Sequence, residues 1–239
     1  MEIVELQQVT HAFGKQKVLL NVDLSIQTGE IFGLLGPSGS GKTTLVKSIV
    51  GTLTPDKGEV YVSGTRMPSL QTMGSIGYMA QADALYHELT AQENLAFFAS
   101  VYGVPKKQAA IRIEQVLADV DLLDSKQKVV QGFSGGMKRR LSLAAALIHH
   151  PRLLILDEPT VGIDPVLRNK IWAKFADLKQ QGTTIIVTTH VMDEADRCDQ
   201  LGLLRDGHIM AHGSPDTLKQ ETGTDSIEQA FLVYGRERI

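Results

Sequence analysis

The sequence predicts an α/β fold in which helices cover both faces of a mostly parallel β-sheet. Two continuous apolar runs, at residues 31–35 and 153–156, are typical of strands that are buried on both faces. A β-branched run at 183–189 also predicts a strand, and helical stretches separate the three runs. Because buried strands that alternate with helices favour a parallel sheet, these observations indicate the fold class.

The N-terminal region predicts an antiparallel β patch beside this sheet. Strands are expected at 3–9 and 18–27, with a polar turn at 11–16 between them. In the second strand apolar and polar residues alternate, which is the period of a half-buried antiparallel strand. A hairpin-like segment follows at 58–64, and a further core strand is expected at 75–80.

The middle of the chain predicts a helical lobe inserted into the core. Thr90 and Glu93 form the pattern of a capping box, which opens a helix that runs to Tyr102. Residues 106–122 carry apolar side chains at helical spacing, and a helix is expected from Met137 to His149.

The core then resumes. Asp164 and Pro165 predict an N-cap and a first helical residue for a helix that ends near Gln181. Shorter elements complete the core: a helix at 192–197, strands at 201–204 and 208–210, and a helix starting at 214–215. We expect one domain over 1–239, divided into an α/β core with its β patch (1–81 and 151–222), a helical lobe (82–150) and a polar C-terminal tail (223–239).

Composition excludes several functional classes. The formal net charge is −3 and no long basic tract is present, so a nucleic-acid partner is not expected. The single cysteine, Cys198, cannot form an internal disulfide and is interpreted as a packed thiol. No apolar run approaches the ~20 residues that span a bilayer, and the short acidic N-terminus does not predict a signal peptide.

A phosphate-binding loop follows the first buried strand. The pattern G-x-x-x-x-G-K-T lies between a strand and a helix, so backbone N–H groups and the helix N-terminus face an anion. Glycines at 36, 39 and 41 are expected to let the backbone approach a polyphosphate. Lys42 can reach the outer phosphates, and the Thr43 hydroxyl can bind Mg²⁺. The predicted nucleotide-binding residues are Gly36, Pro37, Ser38, Gly39, Ser40, Gly41, Lys42, Thr43 and Thr44.

Two adjacent acids end the second buried strand. Carboxylates at the edge of a sheet are costly unless they bind a cation or take part in chemistry. Asp157 is suited to hold Mg²⁺, and Glu158 is suited to deprotonate an attacking water. A pair of solvated acids is the alternative interpretation.

Three further features give weaker signals on their own. His190 and Gln81 each follow a predicted strand, but on chemistry alone a structural histidine and a surface glutamine are the favoured interpretations there. Ser134, Gly135 and Gly136 precede a helix and form a second candidate anion site. If the two anion sites lie far apart, a second copy of the chain would complete each nucleotide site.

Together, these motifs resemble the ATPase subunit of an ABC transporter over about residues 2–220. The resemblance rests on the order and spacing of the phosphate loop, Gln81, the segment 133–137, Asp157-Glu158, the loop 161–164 and His190. It implies a P-loop NTPase core that binds ATP and Mg²⁺. Phe133 and Met137 replace the usual ends of the signature segment, while its Ser-Gly-Gly centre is intact.

The resemblance also implies roles for individual residues. Phe13 would stack on adenine, Gln81 would sense the γ-phosphate and contact Mg²⁺, and Asp164 would belong to a loop that links two sites across a dimer. Lys42, Glu158 and His190 would be catalytic, and Thr43, Gln81 and Asp157 would surround the metal. Ser134, Gly135 and Gly136 would contact the nucleotide of the opposite subunit.

The implied partners are a second ATPase subunit, identical or paralogous, and a separate integral membrane permease. The chain is then expected at the cytoplasmic face of the membrane. The runs 133–141 and 161–165 are similar to those of drug- and antibiotic-exporter ATPases, which favours export. Phe97 and Phe98 belong either to a groove that receives the permease or to the core. A soluble ABC ATPase acting on DNA or ribosomes and a GTPase-like switch are the alternative functions.

Overall fold

A computed structural model describes residues 1–236. Its strands are β1 (Glu2–Phe13), β2 (Gln16–Gln27), β3 (Ile31–Leu35), β4 (Lys57–Val62), β5 (Thr65–Arg66), β6 (Ile76–Met79), β7 (Leu153–Asp157), β8 (Thr184–Thr189), β9 (Gln200–Arg205) and β10 (His208–Gly213). Its helices are α1 (Lys42–Val50), α2 (Leu70–Met73), α3 (Ala91–Val101), α4 (Lys106–Asp119), α5 (Gly135–Leu147), α6 (Pro165–Gln180), α7 (Met192–Ala195), α8 (Pro215–Thr222) and α9 (Ile227–Arg236).

The central sheet has the strand order β10-β9-β3-β8-β7-β6. All neighbouring pairs in it are parallel except β9 and β10, which form an antiparallel hairpin. The predicted mostly parallel sheet is therefore confirmed. The carboxyl ends of β3, β6, β7 and β8 share one edge, and every motif that follows one of these strands lies there.

Successive residues of the central strands pack into two different cores. In β3, Leu35 faces a core shared with the helical lobe and α6, whereas Leu34 faces a core formed with α1 and the β patch. In β7, Leu156 and Ile155 divide in the same way. This alternation explains why these strands are apolar throughout, because each side chain must be buried on one face or the other.

The β patch is an antiparallel sheet with the order β2-β1-β4-β5. Its first two strands are longer than the sequence predicts, and the turn between them contains Gly14 and Lys15 alone. His11, predicted in the turn, lies in β1 opposite Leu19 and is 8% exposed. The polar character of His11 predicts a turn, although its side chain is buried in the strand.

The helical lobe contains α3, α4 and α5. The capping box of α3 is confirmed, with the Thr90 hydroxyl accepting from the Glu93 N–H and the Glu93 carboxylate accepting from the Thr90 N–H. Helix α5 begins at Gly135, two residues before the predicted start, because Ser134 is its N-cap. Among residues 1–236, none of the helices combines the length and the apolar character that a membrane span requires.

Part of the predicted polar tail is also helical. Helix α9 buries Ile227, Ala230 and Phe231, which are spaced three and four residues apart. The Ser226 hydroxyl accepts from the Gln229 N–H and caps its first turn. Residues 237–239 of the predicted tail lie outside the described residues.

Candidate nucleotide site

The phosphate loop lies in an open cleft of about 270 Å³ at the carboxyl edge of the central sheet. Residues from four separate parts of the chain line this cleft: Phe13, Gln16, Val18, Ser38, Gly39, Gly41, Lys42, Thr43, Thr44, Gln81 and Glu158. The predicted adenine-stacking residue, the loop, the γ-phosphate sensor and the predicted base therefore surround one space. Phe13 is 55% exposed, so one ring face is free to stack.

Lys42 is the first residue of α1 and is 5% exposed. Its Nζ donates to the carbonyls of Gly36 at 2.7 Å and Pro37 at 3.0 Å, which curls the loop around the ammonium. Because an ammonium has three donors, one N–H remains for an anion in the cleft. Burial lowers the pKa of Lys42, and the negative charges of Glu158 and Asp157 oppose this shift.

The loop glycines have different structural roles. Gly41 is the N-cap of α1, with φ 108° and no side-chain cap, so the helix N-terminus is left for a ligand. Gly39 has φ +80°, and a Cβ there would face open space. A Cβ on Gly36 would lie 2.2 Å from the carbonyl oxygen of Leu204 in β9. The missing side chain of Gly36 therefore makes room for β9, and its expected role in the approach to a polyphosphate stays a prediction.

Pro37 and Ser40 also differ from the other loop residues, because neither lines the cleft. The Ser40 side chain is buried at 4% exposure, and its carbonyl accepts from the Gly207 N–H at 3.3 Å. These residues support the curl of the loop from outside the cleft.

Asp157 is the last residue of β7 and is 1% exposed. Its Oδ1 accepts from the Thr188 hydroxyl at 2.5 Å, while its Oδ2 has no hydrogen-bond partner among residues 1–236. A buried carboxylate oxygen without a donor is costly, so its position favours a cation or an ordered water.

Glu158 leaves the strand with φ +52°, in the left-handed region that few non-glycine residues adopt. Its N–H is held by the carbonyl of Thr188 at 3.2 Å and by the Thr188 hydroxyl at 3.0 Å. Thr188 therefore fixes both acids. No sequence pattern marks Thr188 as a site residue, because it is one member of a β-branched strand.

His190 follows β8 at the same sheet edge, and its Nδ1 lies 3.2 Å from Glu158 Oε1. The His190 side chain is 50% exposed and that of Glu158 is 16% exposed, so the pair faces solvent on one side. Gln81 is exposed after β6 and lies on the cleft wall. The structure thus brings His190 to Glu158 and Gln81 to the cleft, as the parallel order of the strands predicts.

A third acid, Glu194, contacts the segments around this pair, and it was not predicted from the sequence either. It is 2% exposed, and its carboxylate accepts from the hydroxyls of Thr160 and Thr189. These threonines precede the loop 161–164 and His190, respectively, so Glu194 connects the two segments.

The remaining predicted site residues lie outside the cleft. Ser134 and Gly135 are exposed, and the Ser134 hydroxyl accepts from the Met137 N–H at 3.2 Å as the N-cap of α5. Gly136 is packed near the carbonyl oxygen of Gly162. Asp164 is exposed and caps α6 by accepting from the N–H groups of residues 166 and 167, both at 3.1 Å. Ser134, Gly135, Gly136 and Asp164 therefore form no part of this cleft within one chain.

Comparison with known proteins agrees with this geometry. A family model described as ABC transporter matches residues 19–161. The linearmycin resistance ATP-binding protein LnrL of Bacillus subtilis is 39% identical over 242 residues, which cover 97% of this chain and 78% of LnrL. ABC transporter G family member 20 of Dictyostelium discoideum is 42% identical over 96% of this chain, but the chain spans only 32% of that protein. The probable multidrug ABC transporter ATP-binding protein YbhF of Escherichia coli is 38% identical, and the chain spans 41% of it.

Solved structures show the same fold. The structure of an ATP-binding subunit of an ABC transporter aligns with a TM-score of 0.90 and 27% identity, covering 98% of this chain and 99% of that chain. A dimeric post-hydrolysis state of an ATP-binding cassette, bound to ADP and Pi, aligns with a TM-score of 0.82 and 28% identity, covering 88% and 98%. The chain therefore belongs to the ABC transporter family, as an ATP-binding domain of the ABC ATPase type.

Proposed function

We propose that two ATPase subunits bind MgATP between them, hydrolyse it and drive export through a separate membrane permease. This proposal rests on the observation that the predicted site residues lie in two separate places on the chain. The phosphate loop, Gln81 and Glu158 surround one cleft, whereas Ser134, Gly135 and Gly136 lie on another part of the same chain. A nucleotide in the cleft is therefore contacted on one side only unless a second subunit supplies the rest.

Hydrolysis requires a base near the terminal phosphate. Glu158 lies on the cleft wall, and His190 is the titratable group beside its carboxylate. Glu158 would accept a proton from the attacking water while His190 orients the carboxylate and hydrogen-bonds the γ-phosphate. Lys42 would direct its free N–H to the phosphates, where its charge offsets the charge of the transferred group.

The residues around the phosphates also fit a magnesium ion. Asp157 Oδ2 is buried without a donor, and the cleft is lined by Thr43, Gln81 and the residue that follows Asp157, Glu158. No cluster of three or more His, Cys, Asp or Glu side chains suited to a metal occurs in the described part of the chain, so phosphate oxygens and water would complete the coordination. When bound, Mg²⁺ neutralises phosphate charge. The residues that would hold it are Thr43, Asp157 and Gln81.

A dimer would complete the site. The exposed Ser134 and Gly135 stand at the N-terminus of the 13-residue helix α5, where N–H groups favour an anion. In this arrangement they contact the γ-phosphate held by the other subunit, and Asp164 lies in the loop between the two sites. The similarity to a dimeric ATP-binding cassette supports this arrangement.

An exposed aromatic surface supports the proposal that the chain binds a permease. Tyr86 and Phe97 are 45% and 40% exposed, and their rings meet edge to face with centroids 4.7 Å apart. Phe98, by contrast, is partly buried against the core, so the two phenylalanines have different environments. A groove of about 160 Å³ lined by Leu85 and Phe98 continues this surface. An apolar segment of a permease would cover it, and the chain would then lie at the cytoplasmic face of the membrane.

The direction of transport is inferred from the relatives. LnrL is described as a linearmycin resistance protein, and another relative, from Rhizobium meliloti, as a Nod factor export protein that is 41% identical over 97% of this chain. Both descriptions favour export.

Two measurements test the proposal. Steady-state ATPase assays of Glu158→Gln should show hydrolysis lowered by about 10²–10⁴-fold with ATP binding retained, because an amide cannot accept the proton. Hydrolysis near the wild-type rate would exclude Glu158 as the base. Separately, co-expression with candidate permeases should yield a membrane-bound complex, and replacement of Phe97 by Asp should release the chain from it. A chain that never associates with such a permease would contradict the transporter role.

A further inference from the structure

Arg139 connects three parts of the structure through one guanidinium group. It lies on α5, and its side chain is 8% exposed. Nη1 donates to the carbonyls of Ala80 at 2.8 Å and Gln81 at 2.9 Å. Nη2 donates to the carbonyls of Asp157 and Glu158, the latter at 2.7 Å.

The two pairs of carbonyls belong to neighbouring strand ends. Ala80 and Gln81 follow β6, and Asp157 and Glu158 end and follow β7, which is parallel to β6. The planar fork of a guanidinium presents its donors in a fixed geometry, so it sets the spacing between the two turns. A single ammonium has no such geometry and cannot hold four carbonyls at once.

The contact of Arg139 with the Glu158 carbonyl supports an unusual backbone conformation at Glu158. Its φ of +52° is sparsely populated by non-glycine residues and persists only when the surroundings fix it. Thr188 holds its N–H from one side, and Arg139 holds its carbonyl from the other. The direction of the Glu158 carboxylate therefore depends on both contacts.

Because Arg139 belongs to α5, it also connects the two turns to that helix. The same helix begins with Gly135 and is capped by Ser134. A displacement of α5 on nucleotide contact would move Arg139 and, with it, the turns that carry Gln81 and Glu158. Asp83 supports the guanidinium at 3.9 Å from Nη1 and is itself held by the Ser142 hydroxyl at 2.8 Å.

We propose that Arg139 is a positioning residue that aligns Glu158 and Gln81 with each other and couples their positions to α5. This inference rests on the proposed function, because it assumes that Glu158 acts on the nucleotide in the cleft. Arg139 does not line that cleft, so its effect should appear in turnover and not in ATP affinity.

Arg140 provides a matched control on the same helix. Its Nη1 also donates to two backbone carbonyls, those of Val120 at 2.9 Å and Asp121 at 2.8 Å. Both acceptors follow α4 within the helical lobe. Arg140→Lys therefore makes the same chemical change without touching either strand end.

The experiment compares Arg139→Lys, Arg140→Lys and Glu158→Gln in the full chain. Steady-state kinetics give kcat and KM for MgATP, and titration with a fluorescent ATP analogue gives the equilibrium Kd. We expect Arg139→Lys to lower kcat by about tenfold or more, because a displacement of a fraction of an ångström is enough for such a loss. Its Kd should stay within about twofold of wild type. Arg140→Lys should keep kcat within about twofold.

A milder variant keeps the inference testable if Arg139→Lys does not fold. Asp83→Asn weakens the support of the guanidinium and should lower kcat about threefold with an unchanged Kd. Wild-type kcat in Arg139→Lys or in Asp83→Asn, beside an inactive Glu158→Gln, would overturn the positioning role. Hydrolysis by Glu158→Gln itself would instead refute the proposed function.

Discussion

Replacement of Gly36 by Ala tests the structural role of the first loop glycine. The new Cβ would lie 2.2 Å from the Leu204 carbonyl oxygen, whereas ordinary contacts begin at 3.4 Å. The loop and β9 would therefore have to separate by about 1.2 Å (3.4 Å minus 2.2 Å). Both sides of the contact are backbone, so the change should cost about 3 kcal/mol, the upper end of the usual range for overpacking. For a domain of this size, we expect Tm to fall by about 6–12 °C.

The assay is thermal unfolding of Gly36→Ala beside Gly39→Ala, with ATP titration of both. Gly39 has φ +80° and open space where a Cβ would lie, so its substitution costs only the conformational strain of about 1–2 kcal/mol. Both variants should bind ATP more weakly, because one displaces the loop and the other places a methyl group in the cleft. A Gly36→Ala protein that is as stable as Gly39→Ala would refute the packing role of Gly36.

Three further predictions concern the cleft and the half-buried His149. Lys42→Ala should weaken ATP binding by about 10–100-fold, since a charge-assisted hydrogen bond is worth about 1.5–3 kcal/mol, and an unchanged Kd would contradict this role. Phe13→Ala should weaken it by roughly 5–100-fold while Phe13→Tyr retains it, because stacking on a base contributes about 1–3 kcal/mol; equal affinities would argue against stacking. Burial lowers the pKa of His149 from 6.5 to about 4, so the unfolded chain binds the extra proton between these values and stability falls as pH falls through this window. His149→Phe keeps an aromatic ring against Tyr102 but removes the titrating group. Between pH 7 and pH 4, its free energy of unfolding in urea should therefore fall by up to about 3 kcal/mol less than that of the wild type. An equal fall in both proteins would contradict this prediction.

Features encoded by local pattern could be predicted from the sequence. The buried strands, the capping box of α3 and the Asp164 cap of α6 all depend on residues within a few positions of each other. The shared edge of the sheet follows from the parallel strands, and it brings Gln81 to the cleft and His190 beside Glu158. Helix α9 was missed, although Ser226 with Gln229 three residues later is the pattern of an N-terminal cap.

Features that depend on distant contacts could not be predicted. No neighbouring residue marks Arg139, because its acceptors lie 18, 19, 58 and 59 positions away. Gly36 has the expected residue type, but its close approach to Leu204 of β9, far along the chain, is not encoded near it. Thr188 and Glu194 fix the acids and the segments around them through hydroxyl contacts that become visible only when β7 and β8 are adjacent. In each case the contact is an ordinary hydrogen bond or packing contact, but the fold determines which distant residue takes part in it.

In the proposed dimer, the phosphate loop forms only half of a nucleotide site. Equilibrium sedimentation of Glu158→Gln with and without MgATP tests this claim most directly, because the variant should bind ATP without hydrolysing it. We predict a monomer without nucleotide and twice that mass with MgATP, and loss of this dimer when Ser134 is also replaced by Arg, which would obstruct the exposed start of α5. A protein that stays monomeric at saturating MgATP would contradict the claim.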